Sequence, residues 1–326
     1  MNTQVSERAG FRSGLIAFLN SSLVAAVLIL LVIAFSLAAP AFMSTNNVQT
    51  LLASVAVIAV LSVGQTFVII TAGIDLSQGA VVGLTGVMGA GAMGLAPGSG
   101  GIVLGIVVAL ITGTAVGLLN GVLTAYTRVP AFIVTLGTLS IMGGAALLVT
   151  GGEPIYMLPA AVNSFGTNSV GVFPNIILVS IVLAVMGHVL LGRTRFGRSV
   201  YAIGSNPRAA ALSGLPVRRN IVTVFTLSGF LSAVGGLLLT SYVNSALPTA
   251  GQNYELDSIA AVVIGGGSLF GGQGTVWSSM LGVLLIGVLN NGTDLVGVSS
   301  YSQTIILGCV VIGAVFVDSF RKRVAV

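Results

Sequence analysis

Very few side chains in this sequence could do chemistry. There is one histidine, His188, one cysteine, Cys309, and one lysine, Lys322. A phosphate-cradling loop needs a Gly-rich turn followed by Lys and Ser or Thr, and Lys322, at the very end of the chain, has no such turn before it. No nucleotide-hydrolysing site is therefore written in this polypeptide. A lone His and a lone Cys cannot make a zinc site or a nucleophile–base pair. His188 closes an apolar run, where it reads as a helix-packing or interfacial residue. The acids that remain interesting are Asp75 and Asp257, each at the head of an apolar run. A carboxylate there can cap a helix, accepting backbone N–H bonds and facing the positive helix end. Its competitor is a direct role in binding a coupling ion, the default reading of an acid inside a membrane.

Both readings presuppose a membrane, and composition supplies it. Of 326 residues, 55% are hydrophobic and 6% charged, where a globular chain carries about a quarter charged. Twelve Lys or Arg against seven Asp or Glu leave a net charge of +5, too few charges to cover a soluble domain of this size. The mean hydropathy of +1.09 agrees. A sizeable soluble domain, a nucleic-acid reader and a disulfide scaffold are excluded. Ten runs lack Asp, Glu, Lys and Arg: about 21–40, 49–72, 76–96, 101–127, 129–150, 173–192, 220–244, 258–271, 275–293 and 299–317. They do not alternate as barrel strands would. The expectation is an all-α polytopic bundle of about ten transmembrane helices, with a 1–20 cytoplasmic segment, a 21–320 membrane domain and a 321–326 cytoplasmic tail.

The cations orient it. With the N-terminus inside, Arg8 and Arg12, Arg128, the cluster Arg193, Arg195, Arg198, Arg208, Arg218 and Arg219, and the tail Arg321, Lys322 and Arg323 all fall on the cytoplasmic side, as the positive-inside rule expects. Glu153, Glu255, Asp257 and Asp294 then fall outside or at the outer edge. The first run is read as a retained anchor, being longer than a signal-peptide core and having Pro40 beside the nearest cleavage-like site.

Glycine, at 45 residues, is about twice its usual share. Gly83, Gly86, Gly89, Gly91 and Gly94, with Gly113, Gly117 and Gly121, suit close helix packing in lipid. Gly265, Gly266 and Gly267 instead interrupt the eighth run, which is too short to cross as a regular helix; broken helices at membrane depth need protein around them. The stretch from Asp75 to Gly83 can be laid on Asp257 to Gly265, and in a ten-span threading the two units run in opposite directions. An inverted repeat of this kind is common in transporters.

Residues 193–219 form the longest cytoplasmic segment, and a compact helix signal lies inside it. Asn206 can cap, Pro207 suits the first helical position, Arg208 to Ser213 continue, Gly214 stops it and Pro216 prevents resumption. Two turns gain little from their own bonds. The segment is either a docking helix for a partner or a basic loop that holds orientation near anionic lipid.

At this loop the sequence resembles a known family, the bacterial ATP-binding-cassette permeases for ribose and related sugars. Three stretches carry the likeness. Residues 64–79 read Gly-Gln-Thr-Phe-Val-Ile-Ile-Thr-Ala-Gly-Ile-Asp-Leu-Ser-Gln-Gly, with Gln78 where the family pattern has Val. Residues 202–214 read Ala-Ile-Gly-Ser-Asn-Pro-Arg-Ala-Ala-Ala-Leu-Ser-Gly. Residues 248–272 run from Pro-Thr-Ala-Gly-Gln to Ser-Leu-Phe-Gly-Gly, and Leu-Asn-Asn-Gly and Gly-Val-Ser-Ser-Tyr follow.

The resemblance implies a type II importer fold in the bacterial inner membrane with both termini cytoplasmic. Two permease chains, here expected as a homodimer, would enclose a pathway. A cytoplasmic ATPase carrying ATP and Mg would dock on Asn206, Pro207, Arg208, Ala209, Ala210, Leu212 and Gly214, and a periplasmic sugar-binding protein would deliver a neutral ribose-like sugar. This chain itself would hold no cofactor and no metal, catalyse nothing and bind no nucleic acid. A neutral sugar needs hydrogen-bonding side chains, and Gln65, Thr66, Asn120, Asn290 and Asn291 are the candidates, with interhelical bonding as their alternative use. The competing class is an ion-coupled secondary transporter of a small polar solute, in which Asp75, Asp257 or Asp294 would carry the ion. A third is a non-transporting membrane subunit.

Overall fold

The computed structural model describes residues 23–316 apart from 128, 157, 307, 310, 311, 314 and 315. The segments expected at 1–20 and 321–326, with Arg8, Arg12, Arg128, Arg321, Lys322 and Arg323, lie outside the described residues. Within them the chain is a polytopic α-helical protein. The order is α1 (Leu23–Ala38), α2 (Thr45–Ile70), α3 (Gln78–Met93), α4 (Gly98–Tyr126), α5 (Ala131–Thr150), α6 (Ala160–Thr167), the two-residue strands β1 (Ser169–Val170) and β2 (Phe173–Pro174), α7 (Asn175–Arg193), α8 (Arg195–Ser205), α9 (Pro207–Leu212), α10 (Val217–Val243), α11 (Tyr254–Ile264) and α12 (Val276–Leu295). Residues 300–306 are helical again. Among the described residues, α2, α4, α5, α7, α10 and α12 are long and apolar enough to cross a membrane, and α1 and α3 are shorter apolar helices.

Burial sorts these helices. Every residue of α2 from Val55 to Ile70 is buried, which is why that stretch is apolar on all sides. α10, α7, α12 and α11 surround it. α4 buries little besides Gly101, Gly105, Gly113, Gly117 and Gly121 with a few small neighbours. On this stripe α10 sits backbone to backbone: a Cβ on Gly113 would lie 2.6 Å from Gly229 O, and one on Gly121 2.8 Å from Val222 Cα. Such close approach is what holds helices together where apolar burial offers no advantage.

Two helices begin inside the bundle. After α2 ends, residues 71–77 are not helical, and the Gln78 side chain at the start of α3 donates to Leu61 O at 3.1 Å. Leu61 lies nine residues before the end of α2, about 13 Å back along its axis. The chain has therefore turned back inward before the helix resumes. Residues 244–253 do the same from the other end. Carbonyls of Pro248, Ala250 and Gly251 line α3 at Gly83 and Gly79, and α11 then starts. The two helix starts meet where Ser258 Oγ donates to Gln78 Oε1 at 2.8 Å. Protein encloses much of this irregular backbone, with Ser245, Ala246, Pro248 and Gly251 buried while Gln252 and Asn253 stay exposed.

Two sequence expectations meet this geometry. Glu255 and Asp257, expected outside or at the outer edge, occupy the first turn of α11, where Glu255 is buried with its carboxylate against Gly79 and Asp257 is half-buried. Asp75 and Asp257 are not equivalent. Asp75 precedes its helix, whose capping position is Ser77. Asp257 comes after the cap of its own helix, which is Asn253. The re-entrant segment 246–253 carries the helix start four residues earlier than the apolar run suggests.

Candidate functional site

Around the meeting point of α3 and α11 seven buried side chains form one hydrogen-bonded chain. Thr138 Oγ1 donates to Asn120 Oδ1 at 2.6 Å, and Asn120 Nδ2 donates to Ser77 Oγ at 2.9 Å. Ser77 Oγ donates to Asp75 Oδ1 at 2.6 Å, and its backbone N–H donates to the same oxygen at 3.0 Å. Ser228 Oγ donates to Asp75 Oδ2 at 2.7 Å and accepts from Gln78 Nε2 at 2.9 Å. Gln78 Oε1 accepts from Ser258. Helices α3, α4, α5, α10 and α11 each contribute, and the Leu61 carbonyl of α2 completes the set. All seven residues are buried. Asp75 thus holds the backbone at the start of α3 by way of Ser77, while the Ser77 side chain, at the capping position, makes no bond to the first-turn N–H groups of the helix.

The five amide and hydroxyl candidates are used differently. Asn120 belongs to this network. Thr66 Oγ1 lies 2.8 Å from Ser279 Oγ of α12. Asn291 and Asn47 exchange a reciprocal amide pair at 2.8 and 2.9 Å, tying α12 to α2. Gln65 is fully buried, and neither of its amide atoms has a protein partner. Asn290 is partly exposed. Gln65, Thr66 and Asn120 have no exposed surface in this conformation; Thr66 and Asn120 bond across helices, while the Gln65 amide is buried without a protein partner.

The glycine triplet ends α11. A Cβ on Gly265 would strike the Ser278 carbonyl of α12. Gly266 has φ +95°, a backbone region that other residues rarely enter. Gly267 N donates to Val262 O at 2.8 Å.

At the arginine-bearing end the loop is two helices. Thr194 caps α8, accepting from Gly197 N at 3.1 Å. Phe196, Val200 and Ile203 recur at helical spacing, and this stripe, with arginines and serine opposite, marks α8 as amphipathic; reading 193–205 only as a basic loop missed it. In α9, Asn206 Oδ1 accepts from Arg208 N at 3.1 Å and from Ala209 N at 3.0 Å, and Pro207 takes the first position. Gly214 follows at φ +81°, and Leu215 N closes the turn on Ala210 O at 3.1 Å. The structure also decides which face turns inward. Ala210 is buried within the chain, Arg208 and Ala209 are exposed, and Leu212 is 91% exposed. Ala210 therefore is not an outward contact of this helix.

Comparison with known proteins gives the family. The family described as branched-chain amino acid transport system / permease component matches residues 47–316. The chain is 42% identical over 320 residues to the ribose import permease protein RbsC of Haemophilus influenzae, covering 97% of each chain. It is 35% identical over 291 residues to the D-allose transport system permease protein AlsC of Escherichia coli K12, covering 88% of each. It is also 38% identical over 322 residues to the fructose import permease protein FrcC of Rhizobium meliloti, covering 94% of this chain and 88% of that one. No solved structure matches. Matched over residues 47–316 by this family and along nearly its whole length by ribose import permeases, the helical bundle belongs to the permease-component family.

Proposed function

We propose that the chain is the membrane-spanning subunit of an ATP-driven importer that moves a neutral sugar of the ribose, allose or fructose class into the cytoplasm. In this reading ten segments, α1 to α5, α7, α10 to α12 and the stretch beginning at residue 300, occupy the bilayer. α3 and α11 form an inverted pair of half-helices. Two copies enclose the pathway in a bacterial inner membrane, both termini face the cytoplasm, and a periplasmic binding protein supplies the sugar. ATP and Mg sit on a separate ATPase. Gln65, whose buried amide has no protein partner, and the partly exposed Asn290 are the pathway candidates left once Thr66, Asn120 and Asn291 are assigned to helix contacts. An ion-coupled alternative gains nothing from Asp75, whose oxygens are engaged by three donors from Ser77 and Ser228.

The observation that carries the ATPase-driven reading is α9. This single-purpose helix is capped at Asn206 and stopped at Gly214, and it presents Leu212 and Arg208 away from the bundle. An isolated helix of this length does not persist for its own sake, and an exposed leucine beside an arginine suits a small protein contact. Leu212→Asp puts a charge into that contact, and desolvating an unpaired charge costs several kcal/mol. The expected result is normal membrane abundance with loss of ATPase on copurification and loss of sugar uptake. Retention of the ATPase and uptake of ribose, allose or fructose at the unmodified rate would refute the docking role.

A further inference from the structure

α9 has no linker. Asn206 is at once the residue that ends α8 and the residue that caps α9, so α9 cannot shift without turning at one residue or carrying α8 with it. α8 is itself rigidly seated. Its Val200 and Ile203 are wholly buried, and Phe196 stacks on Phe67 of α2 with ring centroids 6.1 Å apart.

The last turn of α8 touches two other places. Gly204 lies against the carbonyl of Ile70, the final residue of α2, so tightly that a Cβ would collide with it; the same Cβ would be 2.6 Å from Gly272 N. Gly272 N in turn donates to Ile70 O at 2.9 Å. A Cβ on Gly271 would lie 2.8 Å from both Gly204 O and Ala72 Cβ. Tyr201 Oη donates to Gly274 O at 2.7 Å. Backbone rests on backbone here, with no flexible side chain between to absorb a displacement.

These two places lie in the irregular segments that flank α3 and α11, one before α3 and one after α11. Ile70 and Ala72 open the 71–77 stretch that leads to α3. Gly271 to Gly274 belong to the loop that joins α11 to α12. We propose that Tyr201 and Gly204 form the joint through which movement of α9 reaches both interior half-helices at once, with Tyr201 acting as a positioning residue that keeps the 271–274 loop engaged with α8. The inference rests on the reading of α9 as the ATPase dock, and it adds where that movement goes.

Tyr201→Phe tests it in proteoliposomes holding the complete transporter, that is, this chain with its ATPase, supplied with binding protein and with whichever of ribose, allose and fructose the unmodified chain carries. The ring and its packing stay; only the bond to Gly274 O is lost. Assembly with the ATPase and basal ATP hydrolysis are expected to persist, while sugar moved per ATP hydrolysed falls about fivefold, the shift that loss of one net hydrogen bond gives. A residue that matters only for folding would lower abundance, hydrolysis and uptake together and leave that ratio unchanged, and this outcome overturns the proposal. Inserting two glycines between Ser205 and Asn206 frees α9 from α8 and is expected to uncouple in the same way with the ATPase still bound; a normal ratio there also overturns it. Leu212→Asp separates the two readings. If Leu212→Asp releases the ATPase but Tyr201→Phe keeps the normal ratio, docking stands and the joint is wrong. If Leu212→Asp leaves the ATPase in place, docking fails and the joint falls with it.

Discussion

Gln78 and Asp75 sit in the same buried network, three residues apart, yet replacing them has different consequences. Removing a partner is costly when it leaves a buried group unpaired, and nearly neutral when it does not. Without Gln78, Ser228 still donates to Asp75, Ser258 can donate to Glu255 O at 2.9 Å, and Leu61 O keeps its place in α2. Gln78→Val is thus expected to change stability by less than about 1 kcal/mol. Asp75→Leu strands the Ser77 backbone N–H, the Ser77 hydroxyl and the Ser228 hydroxyl, a loss of about 1–3 kcal/mol for each group left unsatisfied. Thermal unfolding of the purified chain in detergent distinguishes them: a near-native transition for Gln78→Val and a clearly lowered one for Asp75→Leu, with the reverse order contradicting the network. The residue types here were visible in the sequence, Gln78 as a departure from the family pattern and Asp75 as an acid before a helix. Their partners Ser228 and Ser258, 150 and 180 residues further along, were not, because nothing local marks a serine in an apolar helix as a partner. Ser228 comes into reach where α10 packs closely on α2, a Cβ on Gly64 lying 3.1 Å from Ser228 Cα.

For whole elements, hydrophobic runs revealed where helices lie but not where they begin. α11 illustrates why. Its run opens at Ser258, but the helix opens at Tyr254, since Glu255, buried, and Asp257, half-buried, are accommodated in its first turn at the positive end of the helix. α8 escaped for the opposite reason: its arginines made the stretch look like a loop, while Phe196, Val200 and Ile203 supply the apolar side. The Gly265–Gly267 break was legible, since three consecutive glycines have little other use in a span. The structure gives the first of them a specific duty, letting α11 meet α12 at Ser278. Gly265→Ala is expected to destabilise by about 1–3 kcal/mol, the usual result of overpacking. Gly100→Ala makes the fair comparison, because a Cβ at Gly100 meets nothing within 4 Å. Gly101 would not serve, as its Cβ would strike the Ala96 carbonyl. Equal melting transitions for the Gly265 and Gly100 variants would show that α11 and α12 are less tightly apposed than described.

At the level of the molecule, charge and geometry give the same polarity. Arg193, Arg195, Arg198, Arg208, Arg218 and Arg219 lie on or beside α8, α9 and the start of α10, and Arg218 stacks over Tyr126 at the end of α4, 5.4 Å from its ring centroid. Helix α5 leaves that end, and Glu153 follows its far terminus. α12 leaves it too, and Asp294 closes the opposite end, accepting from Gln303 at 2.6 Å. A bilayer crossed by this bundle would see the six arginines among the described residues on one face, the face that the positive-inside rule assigns to the cytoplasm. Because α9 projects from that face and β1 from the other, a cysteine at each reports the orientation. Cys309 is exposed and has to be changed to serine first. In that background Ser169→Cys is expected to react with an impermeant thiol reagent in intact spheroplasts, and Ala211→Cys only after the membrane is opened. Labelling of Ala211→Cys in the intact cells would place α9 outside, beyond the reach of any cytoplasmic ATPase, and would remove the docking surface and the Tyr201–Gly204 joint together.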